Sequence, residues 1–171
     1  ATLADEAGEY DDWVELYNSG TEAIDLGDYF LSDDPDDPWA FPLPTVNLEP
    51  GAYFLVWCDN DPEQGARHAP FRLSKEGETV HLSTSEAEFD SVDIVPLGTD
   101  ESLMRVPDGA DDWLICKRAT PEQANACAPD AASTPGRPTA TPTTPAATTT
   151  PLPTISALGT LVINEVQTDN A

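Results

Sequence analysis

The feature that most constrains this chain is a Thr/Pro-rich tract that separates its last strand-like segment from the rest. Residues 131–158 read AASTPGRPTATPTTPAATTTPLPTISAL and contain few large apolar side chains. A segment of this composition is typical of extended, polyproline-like chain and cannot form a core. The sequence therefore predicts a folded region over 1–130, a linker over 131–158 and a C-terminal strand within 159–171. The strand residues are Leu161, Val162, Ile163, Asn164, Glu165 and Val166.

Short apolar runs bounded by turn residues fill the region before the linker. They recur about every 8–12 residues, and no long stretch has helical periodicity, which is typical of an antiparallel β-sandwich. One run, 52–58 (AYFLVWC), is apolar without alternation and is predicted to be a strand buried on both faces. The predicted strands are 13–18, 23–26, 29–32, 52–58, 71–73, 79–82, 89–95, 102–106 and 113–116.

The charge balance narrows the classes of partner. The chain has 171 residues with a formal net charge of −25 at pH 7. Binding to nucleic-acid phosphates needs clustered Lys and Arg, so nucleic acid is not an expected partner. No stretch of about 18 apolar residues is present, and membrane insertion is therefore not expected.

The acidic residues form clusters in the predicted loops. Solvated acidic loops are the simpler interpretation, and calcium, which binds carboxylate oxygens, is the candidate cofactor if a cluster is organised. None of the clusters has the spacing of an EF-hand loop. The candidate metal ligands lie in the first loop and in the C-terminal strand that is expected to join it: Asp5, Glu6, Glu9, Asp11, Asp12, Glu165 and Asp169.

Three cysteines and four tryptophans carry further expectations. Cys116 and Cys127 flank a segment rich in turn formers and are predicted to form a disulfide, which together with the Thr/Pro tract points to an exported, extracellular protein. Cys58 lies in an apolar run and is expected to be a buried free thiol.

Most tryptophans in a sandwich belong to the core, and Trp39, in an Asp/Pro-rich loop, is the candidate for an exposed carbohydrate platform.

Catalysis is not expected. The two histidines, His68 and His81, are not accompanied by a Ser-centred elbow motif or a phosphate-binding glycine loop. We therefore predict that the chain is not an enzyme.

The order of the motifs resembles the lamin tail domain, in its secreted bacterial form. The resemblance covers residues 1–127 and 161–171 and implies an immunoglobulin-like sandwich, structural or adhesive roles on cell surfaces, and no catalytic residues. In the family, the INE-type strand precedes the DWVELYN strand, whereas here it comes last. The matching segments are VINEV (162–166), DWVELYN (12–18), IDLGDYFLSDD (24–34), FP (41–42), LEPGAYFLVWCD (48–59), FRLSKEGETVHL (71–82), DSV (90–92), MRVPDG (104–109) and Trp113.

This displaced strand leads to two functional hypotheses. In the first, the chain is a subunit of an extracellular filament or surface polymer, a homopolymer in which the strand is donated head to tail into the next subunit. Leu161, Ile163 and Val166 are the expected anchors, although Val162 and Glu165 interrupt strict alternation. In the second, the chain is a monomeric or tandem-repeat adhesion or binding module, and the strand closes its own domain or belongs to the next repeat.

The linker is expected to be an ordered, extended connector that carries O-linked glycans. Proline stiffens the backbone and lowers the entropy lost on ordering. The expected acceptors are Thr139, Thr141, Thr143, Thr144, Thr148, Thr149 and Thr150.

Overall fold

The computed structural model describes residues 3–127 and 161–168. These residues form an all-β structure of eleven strands, with one short 3-10 turn at Leu26–Asp28. No helix in this described part is long and apolar enough to cross a membrane. The predicted linker and the seven candidate glycosylation threonines lie outside the described residues, as does Asp169.

The strands follow the predicted apolar runs closely. In chain order they are β1 (Asp12–Asn18), β2 (Ile24–Asp25), β3 (Tyr29–Ser32), β4 (Phe41–Pro42), β5 (Asn47–Leu48), β6 (Tyr53–Cys58), β7 (Glu78–Thr84), β8 (Glu88–Ile94), β9 (Ser102–Arg105), β10 (Trp113–Cys116) and β11 (Leu161–Gln167).

The strands build two main antiparallel sheets. One has the order β10-β9-β11-β1-β6, and the other has the order β4-β3-β7-β8; β2 and β5 form a small separate pair. Apolar side chains from both main sheets, including Val14, Leu31, Val80 and Ile163, belong to one buried cluster. Two antiparallel sheets packed over a shared core form a β-sandwich, so the immunoglobulin-like fold class is confirmed.

One predicted strand is wrong. Residues 71–73 form no strand, and the segment contributes only an isolated bridge between Asp59 and Arg72. Phe71 and Leu73 are nevertheless buried in the main core. The apolar residues that suggested a strand therefore pack inward from a loop, where the Arg72 guanidinium donates to the Asp59 carbonyl at 2.8 Å.

The last strand lies in the middle of the five-stranded sheet of its own chain. β11 pairs with β1 on one side and with β9 on the other, both antiparallel. All seven of its residues are buried. The last strand of the described chain is thus a central element of the fold.

Candidate functional site

We use the name strand seam for the contacts that β1, β9 and their adjoining loops make with β11. Leu161, Ile163 and Val166 point into the main core and are completely buried. These are the three residues that the sequence nominated as anchors. Val162 is also buried but does not belong to the core cluster.

A β-bulge explains how the three anchors reach the same face of the sheet. Ile163 is opposite Leu16, and Glu165 is opposite Glu15, so Asn164 is an extra residue without a partner on β1. A bulge shifts the alternation of side chains by one position. Ile163 and Val166, three residues apart, therefore both face the core, and the irregular alternation in the sequence corresponds to this bulge.

The backbone at the bulge is held by side chains. The Ile163 amide donates to Asp90 Oδ2 at 2.9 Å, and Arg105 Nε donates to the Ile163 carbonyl at 2.7 Å. Arg105 Nη2 also donates to both carboxylate oxygens of Asp90, at 3.0 Å each, in an ion pair. Buried backbone groups that lose a ladder partner need another one, and this ion pair supplies both a donor and an acceptor.

The Asn164 side chain is a second point of attachment. Its Nδ2 donates to Asp108 Oδ1 at 3.0 Å and to Glu15 Oε1 at 3.4 Å, and its Oδ1 accepts from the Gly109 amide at 3.1 Å. The amide therefore donates and accepts at the same time, which an ionised carboxylate or an apolar side chain cannot do. These bonds fix which residue of β11 occupies the bulge.

The segment after β10 covers the other face of β11. We call residues 117–127 the latch. It is closed by a disulfide between Cys116 and Cys127, whose Cα atoms are 5.3 Å apart. Asn125 Nδ2 donates to the Asn164 carbonyl at 3.0 Å and to the Arg105 carbonyl at 2.8 Å. The cysteine pair predicted from the sequence thus closes the loop that contacts the last strand.

Two buried carboxyl groups lie under the latch. The Glu15 carboxylate accepts from the Glu122 amide at 2.5 Å, and the Glu165 carboxylate accepts from the Thr120 amide and hydroxyl at 3.1 Å. Both glutamates are fully buried. Burial raises the pKa of Glu15 to about 8 and that of Glu165 to about 7, although the hydrogen bonds to both carboxylates oppose the rise.

The first loop brings several of the predicted metal ligands together. Carboxylate oxygens of Asp5, Glu9 and Asp11 lie within 4.8 Å of one another, and Asp5 also lies within this distance of Asp59 and His68. Burial, together with the charges of neighbouring carboxylates, raises the pKa of Asp11. This arrangement was expected for the first loop, whereas the participation of Asp59 and His68 was not.

The remaining predicted ligands have other contacts. Glu165 belongs to neither group, because its carboxylate bonds to the latch. Asp12 Oδ2 accepts from the Leu73 amide at 3.1 Å, and Glu6 lies 3.5 Å from His68 Nε2. The expectation that Glu165 would join the first loop is therefore wrong. Its partner on β1 is Glu15, and this register places the Glu165 carboxylate under the latch.

The aromatic residues and Cys58 follow the sequence expectations. Trp13 and Trp57 are buried in a second apolar cluster, and Trp39 is 55% exposed beside Pro35 and Pro38. Cys58 is a buried free thiol, and burial raises its pKa well above the ordinary value. A carbohydrate platform at Trp39 stays a prediction.

A sequence model of the lamin tail domain matches residues 2–96. The chain belongs to the lamin tail domain family. The match includes β1 to β8 and ends before β9, so the latch and β11 lie outside it. Neither the curated proteins nor the solved structures contain a significant match to the chain.

Membership in the lamin tail domain family sets the coarse function. The domain is a non-catalytic, immunoglobulin-like structural fold, and this chain is accordingly a binding or structural module. In this chain the strand seam holds the last strand of the sequence by main-chain pairing, a bulge and a disulfide-closed latch.

Proposed function

We propose that this chain is the structural subunit of an extracellular filament or surface polymer, assembled head to tail by exchange of β11. One observation carries the proposal: β11 is last in the sequence, yet it lies between β1 and β9 in the centre of a sheet and is buried at every position. Without β11, two strand edges and the apolar residues around them would be exposed, which is a strong site for association.

Exchange would preserve every contact of the seam. A strand that pairs with β1 and β9 makes the same hydrogen bonds whether it comes from the same chain or from a second copy, so domain swapping costs little. If each copy donates β11 to the next copy and accepts β11 from the previous one, the interface is heterologous. Heterologous interfaces produce filaments when their rotation does not close into a ring.

The length of the tract 131–158 favours exchange of β11 with a neighbouring subunit. In polyproline geometry, at about 3.1 Å per residue, the tract 131–158 would span on the order of 85 Å. The radius of gyration of a domain of about 100 residues is near 13 Å. A connection of this composition is therefore much longer than the return path inside one sandwich requires.

The alternative is a monomeric or tandem-repeat binding or adhesion module. The specific observation in its favour is that β11 pairs within its own chain in the structure. Tethering also raises the effective concentration of the strand to the millimolar range, which favours self-closure in dilute solution. The two candidates differ only in which copy supplies β11, and the decisive experiment must identify that copy.

Cysteine trapping identifies the donor of the strand. Tyr17 and Val162 are directly opposite across β1 and β11, and neither belongs to the main core cluster. In the variant Tyr17→Cys/Val162→Cys, exchange predicts a ladder of covalent multimers on non-reducing gels, whereas self-closure predicts a cross-linked monomer. The matched control is Thr79→Cys/Asp93→Cys, a pair across β7 and β8 that lies within one chain in either arrangement.

Two further measurements bear on the polymer. Full-length chain should form filaments in electron micrographs, and chain truncated after Leu158 should not. Filaments of normal length from the truncated chain would overturn strand exchange. A monodisperse 18.3 kDa species at all concentrations would overturn the polymer itself and leave the binding module.

The glycan proposal rests on composition. Seven threonines between Thr139 and Thr150 are spaced by Pro and Ala, a pattern typical of O-glycosylated connectors. The extracellular location is supported by the Cys116–Cys127 disulfide, since such bonds persist in oxidising compartments. Peptides that cover Thr139 to Thr150, released from protein purified from its native source, should be heavier than the bare sequence, and the bare peptide mass would refute glycosylation.

A further inference from the structure

We propose that protonation of the facing carboxyl groups of Glu15 and Glu165 controls how tightly β11 docks, so that the strand seam closes in acid and loosens in alkali. The biological meaning of this control, regulated assembly, rests on the proposed function. The physical claim does not, because the same two groups face each other whether β11 comes from the same chain or from another copy.

The position of the two groups is the first argument. Glu15 on β1 and Glu165 on β11 are direct partners across the seam, and both are fully buried. Like charges directly opposite each other on adjacent strands destabilise the pair. Docking of β11 therefore creates the carboxyl pair, and undocking returns both groups to water.

The second argument is the absence of a compensating cation. Within residues 3–127 and 161–168, no Lys, Arg or His forms an ion pair with Glu15 or Glu165. Arg105 on β9 is close to the seam, but its guanidinium is occupied by Asp90 and by the carbonyls of Ile163 and Ala110. A buried carboxylate without a cation favours its neutral form.

The other groups that face the pair are polar or acidic. The negative charge of Asp108, in the loop before β10, raises the pKa of both glutamates. The Tyr53 hydroxyl on β6 donates a hydrogen bond to Asp108 Oδ2 at 2.9 Å. The buried Ser102 side chain on β9 lowers the pKa of Glu165 and so opposes the effect of burial. From the latch, Glu122 turns only its amide toward Glu15, while its exposed side chain lies 3.7 Å from Arg67.

These surroundings agree with the direction of the pKa shifts. Burial is the largest cause at both sites and raises the pKa of Glu15 to about 8 and that of Glu165 to about 7, from an ordinary value of 4.5. The folded state therefore binds more protons than the unfolded state between about pH 4.5 and 8. Stability in that window falls as pH rises, and the full contribution is present below pH 4.5.

The latch limits the loss at high pH. The amides of Thr120 and Glu122 donate to the carboxylates, and hydrogen bonds to the charged form stabilise it. The disulfide holds these donors in place, so deprotonation should weaken the seam and the sandwich should remain folded.

The experiment measures opening of β11 by hydrogen exchange of the 161–167 amides on the full chain, expressed as protection factors to remove the intrinsic pH dependence. For the wild type, we expect protection to fall by about tenfold or more between pH 5.5 and 8.5, since one unit of pKa shift corresponds to a factor of ten. In the variants Glu15→Gln and Glu165→Gln, the fall should be smaller, and it should be smallest in the double variant.

Two controls keep the result specific. Glu49→Gln removes the same charge from an exposed turn and should leave the profile unchanged. Protonation of His68 also stabilises the folded state. Burial disfavours the charged form of His68, but the neighbouring Asp59 outweighs this effect and raises the pKa of His68. Because His68 is present in every variant, the difference between wild type and the Gln variants isolates the seam.

A carboxyl-carbon NMR titration gives a readout that does not depend on variants. Midpoints for Glu15 and Glu165 well above 4.5 support the proposal, and midpoints near 4.5 overturn it, as would a flat protection profile. The proposed function can fail separately: a chain that is monomeric in the trapping experiment but loosens β11 at alkaline pH retains this inference, and a polymer that ignores pH refutes it.

Discussion

The two faces of β11 are both buried, but they are held by different physics. The face toward the main core presents the side chains of Leu161, Ile163 and Val166, which belong to the main apolar cluster of the sandwich. The opposite face presents Glu165, which lies under the latch, and Gln167, whose Oε1 accepts a hydrogen bond from Trp13. One face is thus an apolar surface, and the other is a hydrogen-bonded polar network.

This difference separates affinity from specificity. Apolar burial is non-directional and scales with the area removed from water, so the core face supplies most of the docking energy for any sequence of suitable shape. Buried polar groups are costly unless each finds its partner. The polar face therefore sets the register and adds sensitivity to pH, and each of the following experiments tests this division.

The largest effect is expected on the apolar face. Ile163→Ala should lower the free energy of unfolding by about 3 kcal/mol, because it deletes fully buried methyl groups and leaves a cavity. The control Val162→Ala, beside it but outside the core cluster, should cost about 1 kcal/mol or less. Equal losses in urea titrations of the two variants would contradict the assignment of docking energy to the core face.

The latch should come next. Replacing both Cys116 and Cys127 by Ser should cost roughly 3 kcal/mol, since a disulfide that closes a loop of this length restricts the unfolded chain by that amount. Hydrogen exchange should show the loss first at 161–167. Treating the wild type with a reductant should reproduce the effect, and uniform loss across both sheets would show that the latch has no special role in holding β11.

A smaller effect is expected at the bulge. Asn164→Asp removes a donor to Asp108 and adds a third acid beside Glu15, so it should cost about 1–3 kcal/mol at pH 8 and less at pH 5, where the new carboxyl group is more readily protonated. The same change at exposed Asn47 should have little effect at either pH. A pH-independent loss would mean that Asn164 contributes only through shape.

Much of the apolar face could be predicted from sequence. Runs of β-branched and aromatic residues predicted nine of the eleven strands approximately, all except the two-residue β4 and β5, and Leu161, Ile163 and Val166 were predicted to be the anchors. Burial of apolar residues follows from residue type alone, so these predictions do not need the register. The error at 71–73 has the same origin, because Phe71 and Leu73 are buried in the way that strand residues are, but from a loop.

The polar face could not be predicted in the same way. Whether Glu165 meets the first loop or Glu15 depends on a one-residue bulge, and such a shift moves every later side chain of the strand. The only signal was the broken alternation at Val162 and Glu165. Likewise, the grouping of Asp59 and His68 with Asp5 depends on how loops pack between β1 and β6, which local sequence does not encode.

The smallest predicted effect concerns the first loop, which is more exposed than the seam. In the seam, protonation of the buried glutamates removes the repulsion between like charges. At Asp5, Glu9 and Asp11, a calcium ion from solvent would remove it instead. Calcium at about ten times its dissociation constant should stabilise the fold by about 1.4 kcal/mol, and a chelator should reverse the gain. Asp11→Asn should abolish this response, and Asp36→Asn, an equal charge change in an exposed loop, should preserve it. A melting temperature that ignores calcium in all three proteins would show that the first loop does not bind calcium and that its carboxylates are relieved by solvent instead.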